Sequence, residues 1–323
     1  MLFRSSMDAD EPGECLKLDL FARLGKARCF VETRPDGSKD ANDILLEHGA
    51  DELERRRVSA EAAMPLLFDV PSKIDEPPLE VYETGWSQLD PYLKYMRGGL
   101  VVVTGNPNAG KSQWVLGQFC QLARVHGMRC AYLGMEGRQS SQKRDIQRYA
   151  KSWSGRMNMP PEAFQDKFFR FPRLKGRVTI ELIKDAIMEV AKVHRCTAFC
   201  IDPWSKLVHE WGRNMQEYQY VDKTLAELQI AAAAADVTLF IVAHPTNAAT
   251  KANATIDDWG LEAIAGGSAW HRNADHGIVV FKPNNTTERI IKVCKNRDWE
   301  IMGTPGEVLF EYDRVRSVYV AKQ

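Results

Sequence analysis

Gly105-Asn106-Pro107-Asn108-Ala109-Gly110-Lys111-Ser112 has the spacing GxxxxGK[ST]. Glycines let backbone N–H groups wrap an anion, the lysine supplies a point charge, and the serine hydroxyl is a ligand for Mg²⁺. The chemistry implied is binding of a nucleoside triphosphate, ATP or another NTP or dNTP, with Mg²⁺. Gln113 follows at the start of a helix-like stretch running to Ala123. Three other polar residues close apolar runs: Glu136 after Leu133-Gly134-Met135, Asp202 after Cys200-Ile201, and His244 after Val242-Ala243. Asp202 suits a Mg²⁺ site, Glu136 an attacking water, and His244 a γ-phosphate. Each also has a plain structural reading: a helix cap for Asp202, a solvated turn for Glu136, a packed ring for His244.

Those residues need a scaffold that brings distant segments together. The strand-like runs Leu100 to Thr104, Cys130 to Met135, Ala198 to Ile201, Val237 to Ala243 and Gly277 to Phe281 alternate with helical patterns. That order predicts an α/β protein with a mostly parallel sheet, whose carboxyl strand ends gather ligands. Thr179 to His194 places Ile180, Ile183, Ile187, Val190 and Val193 on one helical face, and Gln216 to Asp236 ends in alanines suited to close packing. Glu288 to Lys295, Val308 to Tyr312 and Val315 to Ala321 read as three antiparallel strands. Pro71-Ser72-Lys73-Ile74-Asp75-Glu76-Pro77-Pro78 reads as a linker after a short polar N-terminal part.

At 323 residues the chain has room for one large or two modest domains. Its 43 basic and 43 acidic residues balance, so a nucleic acid would have to be met by a local or assembled patch rather than a bulk field. Seven cysteines without a CxxC pair suit a reducing, cytoplasmic setting. The sequence carries no apolar run of about 20 residues and no signal-peptide core at its start, so no membrane partner is expected.

From Glu83 to Ala321 the chain resembles the RecA-like domain of ring-shaped replicative helicases, of the phage primase-helicase and Twinkle type. The blocks that carry the resemblance include Thr84-Gly85-Trp86, Gly98-Gly99-Leu100, the phosphate loop, Leu133 to Glu136, Ile201-Asp202-Pro203-Trp204, Ala243-His244-Pro245, Gly266 to Trp270, and Lys292 to Arg297. The resemblance implies an NTP-driven DNA helicase of hexameric or related ring form, moving 5′ to 3′ on single-stranded DNA, with replisome proteins as further partners. A recombinase or DNA-binding ATPase that does not unwind is the alternative. By resemblance Lys111 and Ser112 bind phosphate and Mg²⁺, Glu136 is the base, Asp202 the Walker B acid and His244 the γ-phosphate sensor. Lys295 and Arg297 would reach a neighbouring subunit's site, with Arg297 the arginine finger, and Tyr312 would stack on the base. Asn247, Lys251 and Arg272 would contact DNA.

Residues 1–50 resemble part of a Toprim primase domain, with Asp8 and Asp10 at its metal-ligand positions but without the upstream glutamate. A truncated chain or a degenerate domain without primase activity is expected. Residues 51–82 would be a linker, helical from Asp51 to Phe68, and 83–323 the ATPase domain.

Overall fold

The computed structural model describes residues 3–5, 10–24, 29–32, 37–62, 80–157, 159–174, 176–210, 215–246, 255–284 and 286–322. The chain divides into two compact units, Met1–Pro77 and Pro78–Gln323.

In the first unit the order is β1 (Phe3–Ser5), α1 (Glu11–Leu24), β2 (Cys29–Val31), α2 (Ala41–His48), α3 (Ala50–Val58) and β3 (Glu61–Ala62). β1 and β2 are parallel, and β3 runs antiparallel to β2. Asp10 Oδ1 accepts from the Gly13 N–H at 2.9 Å, and Asp40 caps α2 through the Asp43 N–H. Asp8 lies outside the described residues. The helix expected from Asp51 to Phe68 ends at Val58 instead. Residues 61–62 join the free edge of β2, where unpaired backbone groups are available to them. The Pro-rich linker lies outside the described residues.

The second unit opens with a hairpin, β4 (Val81–Glu83) and β5 (Lys94–Met96), that the sequence reading did not anticipate. Then follow β6 (Leu100–Thr104), α4 (Lys111–His126), β7 (Cys130–Gly134), α5 (Gln139–Met157), α6 (Pro161–Phe168), β8 (Phe169–Arg170), α7 (Ile180–Lys192), β9 (Ala198–Asp202) and α8 (Glu217–Ala235). β10 (Thr238–Val242), α9 (Ser268–Asn273), β11 (His276–Phe281), β12 (Glu288–Asn296), α10 (Trp299–Met302), β13 (Gly306–Asp313) and β14 (Val318–Ala321) complete it. One nine-stranded sheet takes the order β14-β13-β12-β11-β6-β10-β9-β7-β8. β8, β7, β9, β10, β6 and β11 are parallel to one another, and the β11–β12, β12–β13 and β13–β14 pairs are antiparallel.

The central strands read as unbroken apolar runs because both sheet faces are covered. Val101, Val103, Tyr132, Cys200 and Phe240 face one core with Trp114 and Phe119 of α4. Leu100, Val102, Leu133, Ile201 and Leu239 face the other, with Ile183 and Ile187 of α7 and Leu225 and Leu228 of α8. Thr179 caps α7, accepting from the Leu182 N–H. The alanines of α8 permit a close approach: a Cβ on Gly98 would lie 3.0 Å from Ala233 Cα. β14 begins at Val318 rather than Val315, because Asp313 Oδ1 accepts from the Val315 and Arg316 N–H groups and holds those residues in a turn. Among the described residues no helix is long and apolar enough to cross a membrane.

Candidate nucleotide site

The phosphate loop links β6 to α4 and is shaped by backbone that few residues accept. Gly105 has φ 145°, Asn108 φ 58° and Gly110 φ 94°. A Cβ on Gly105 would sit 1.9 Å from the Val280 carbonyl oxygen, so only glycine fits there. Asn106 fastens the loop to the end of β11: its Nδ2 donates to the Lys282 carbonyl and its Oδ1 accepts the Lys282 N–H, both at 2.9 Å. Pro107 occupies the turn and the Ala109 N–H donates to the Asn106 carbonyl. Arg289 Nε and the Tyr319 hydroxyl donate to the Ala109 and Gly110 carbonyls, at 2.6 and 3.2 Å. The antiparallel tail therefore braces the loop.

Lys111 is buried, its ammonium donating to the Gly105 and Asn106 carbonyls at 3.1 and 3.2 Å. Burial pushes its pKa down to about 8, against the pull of Asp202 and Glu136. A triphosphate would favour the charged ammonium and raise that pKa, so binding should take up a proton between the free and bound values. Affinity is then expected to be full below pH 8 and to fall as pH rises through it, by up to about tenfold per pH unit. Calorimetry in buffers of different ionisation enthalpy measures that uptake; affinity that climbs with pH would contradict it.

Asp202, Glu136 and His244 converge beside the loop, because β9, β7 and β10 end at the same edge as β6. Asp202 is buried and accepts a hydrogen bond from the Tyr132 hydroxyl, with the Ser112 hydroxyl near enough to act on its carboxylate. Burial raises its pKa, and the Ser112 and Tyr132 hydroxyls oppose the rise. Ser112 and Asp202, the predicted Mg²⁺ pair, thus lie close to one another. They offer the hard oxygen donors that the ion prefers. The Met135 N–H donates to the Asp202 carbonyl at 2.7 Å and carries Glu136 over the site. There the Glu136 carboxylate lies 3.7 Å from His244 Nε2 and 3.7 Å from Lys206 Nζ. All three side chains are about half exposed.

Tyr312 lies with Arg289 on a cleft of about 390 Å³ that also takes in Asn108, Gly110, Gln113, Asp145, Arg148 and Arg314. Tyr312 packs on Tyr319 with ring centroids 4.8 Å apart, so it serves the core on one side and the cleft on the other. Arg289, Tyr319 and Tyr132 were not singled out in the sequence. Their importance lies in strand register, which brings Arg289 opposite Phe310 and Tyr132 opposite Cys200.

Lys295 and Arg297 are at the opposite end of the sheet. Arg297 Nε pairs with Asp275 Oδ1 at 2.8 Å, and Asp275 Oδ2 accepts the N–H of Leu100, the first residue of β6. The phosphate loop leaves the other end of that five-residue strand. At about 3.3 Å per residue, Arg297 is roughly 15 Å from its own loop. Lys295 donates to the His271 carbonyl, and burial followed by the nearby Arg297 lowers its pKa. Within one chain Arg297 is thus the ion-pair partner of Asp275, and it does not join its own nucleotide site.

Arg272 pairs with Asp222 at 3.1 Å. Asn247 and Lys251 lie outside the described residues. A cleft of about 660 Å³ has Asp257, Asp258, Glu262 and Glu307 in its lining, and Lys292 within it pairs with Asp257 at 3.6 Å.

No family model matches the chain. The Twinkle homolog protein, chloroplastic/mitochondrial, of Arabidopsis thaliana is 25% identical over 358 residues, covering 97% of this chain and 48% of the relative. The chain thus spans about half the length of that curated relative. Among solved structures, a DnaB-like replicative helicase, described with its interactions with primase, superposes with TM-score 0.59 at 13% identity, covering 97% of this chain and 78% of that one. A separate ATPase domain gives TM-score 0.58 at 14% identity, over 74% of this chain and 90% of its own. The large unit has the RecA-like ATPase fold. The KaiC-like protein of Pyrococcus horikoshii shares it, with TM-score 0.54 at 14% identity over 76% of this chain and 100% of that one. The resemblance to the Twinkle type holds, and the structural likenesses, at such identities, concern fold.

Proposed function

We propose that this chain is the motor part of a replicative DNA helicase that hydrolyses ATP or another nucleoside triphosphate, working as a hexamer or related ring on single-stranded DNA in the 5′ to 3′ direction. The observation that carries the reading is the convergence of Lys111, Ser112, Asp202, Glu136 and His244 on one edge of the sheet, within a chain similar along nearly its whole length to a Twinkle homolog. Lys111 holds phosphate, Glu136 orients and deprotonates the attacking water, and His244 senses the γ-phosphate. Mg²⁺, held by Ser112 and Asp202, would neutralise charge on the β- and γ-phosphates. Tyr312 faces the base, and Arg297 enters the site of the next copy. Asn247, Lys251 and Arg272, repeated around a ring, would track the DNA backbone.

The first unit is a Toprim-like segment, and residues 51–82 are its connection to the motor. Forked-duplex unwinding is the test. Wild-type protein should separate strands with ATP and Mg²⁺, and Lys111→Ala and Arg297→Ala should not. Hydrolysis stimulated by single strands without strand separation would favour a DNA-binding ATPase. Absence of hydrolysis in the wild type would remove the motor reading.

A further inference from the structure

We infer that Asp275 is a positioning residue for Arg297, holding its guanidinium in the direction from which it enters the nucleotide site of a second copy of this chain. This inference rests on the reading of Arg297 as trans-acting. Asp275 directly precedes β11, with a side chain only 3% exposed. Its Oδ2 accepts the Leu100 N–H at 2.8 Å, and Gln229 Nε2 of α8 donates to both carboxylate oxygens at 3.0 and 3.2 Å. The carboxylate is thereby fixed from two elements before it meets Arg297. Its backbone is fixed as well, since the Asp275 N–H donates to the Leu100 carbonyl and the Arg297 N–H donates to the Asp275 carbonyl, each at 2.9 Å.

Arg297 answers with Nε to Asp275 Oδ1 at 2.8 Å and with Nη2 to the Arg272 and Asn273 carbonyls at 2.9 and 3.2 Å. A guanidinium is a rigid planar fork, so holding one edge sets where the other points. Nη1 carries no hydrogen bond among the described residues, and the side chain is 46% exposed. An arginine needed only to neutralise Asp275 would not have to leave that part of the fork without a hydrogen-bond partner among the described residues. Positioning matters for such a group because displacement by about 1 Å costs on the order of 100-fold in rate.

Mixed-subunit hydrolysis of ATP tests the inference. Asp275→Asn keeps an oxygen for the Leu100 N–H but removes the charge that holds Nε. Assembled alone, it should lose about 10- to 100-fold in kcat, with KM for ATP little changed. Lys111→Ala subunits have a dead pocket and an intact arginine, so mixing them in should restore turnover to Asp275→Asn pockets. Adding Asp275→Asn to Arg297→Ala should cost nothing further. Rescue of Arg297→Ala but not of Asp275→Asn would overturn the positioning role and leave the trans reading standing. Failure to rescue Arg297→Ala itself would overturn the trans reading and this inference with it. Should Asp275→Asn not fold, Gln229→Ala replaces it, since it withdraws the donor that orients the carboxylate. A several-fold fall in kcat rescued by Lys111→Ala supports the inference, and unchanged kcat overturns it.

Discussion

Alanine at Arg297 is expected to lower kcat for ATP by about 10³- to 10⁵-fold, the range found for arginine fingers supplied to a γ-phosphate. Nucleotide affinity should change little, because Arg297 is tied to Asp275 at the far end of β6 and cannot touch the phosphates of its own chain. The two readouts separate the possibilities. Binding of a fluorescent nucleotide reports the pocket within one chain, whereas turnover reports the pocket after a second copy completes it. Wild-type turnover should accordingly rise with protein concentration until assembly is complete, and Arg297→Ala turnover should stay low throughout. Lysine at the same position keeps the charge but not the fork, so it should recover only part of the loss. Wild-type turnover in the alanine variant would assign Arg297 to the Asp275 ion pair alone.

Glutamine at Glu136 should reduce single-turnover hydrolysis by about 10²- to 10⁴-fold, the usual contribution of a positioned general base. The carboxylate faces His244 and Lys206, each 3.7 Å away, rather than forming an ion pair with Lys111. Glutamine preserves size and one acceptor oxygen, so Mg²⁺-nucleotide binding should survive. The variant should therefore trap the bound triphosphate, seen as a slow chase of labelled ATP. Equal losses of binding and hydrolysis would mean that Glu136 holds the nucleotide rather than the water.

Much of this architecture is legible in the sequence because burial on both faces writes the parallel strands as apolar runs of four to seven residues ending in functional groups. Leu100 to Thr104 is observed as read, and Ala198 to Ile201 is one residue longer, ending on Asp202 itself. The phosphate loop is legible for another reason: its backbone demands glycine at 105 and 110. What could not be read depends on contacts through space. Asp275 acquires its role from the Leu100 N–H, 175 residues away, and Arg289 from the Ala109 carbonyl, 180 residues away. Tyr132 looks like any aromatic in a strand until register sets β7 beside β9 and its hydroxyl on Asp202. The end of α3 at Val58 was equally hidden. Its Arg55-Arg56-Arg57 run is a basic last turn that complements the helix dipole, but the pairing of residues 61–62 with the open edge of β2 is a contact through space.

The shared pocket is tested most directly by electron microscopy of the assembled protein with a nonhydrolysable ATP analogue, Mg²⁺ and a short single-stranded oligonucleotide. The γ-phosphate should lie between Lys111, Glu136 and His244 of one copy and Arg297 of the next, with Ser112 and Asp202 at the ion. A nucleotide bound with the Glu136 and Asp202 carboxylates turned away from Lys111, or with every Arg297 facing solvent, would contradict it.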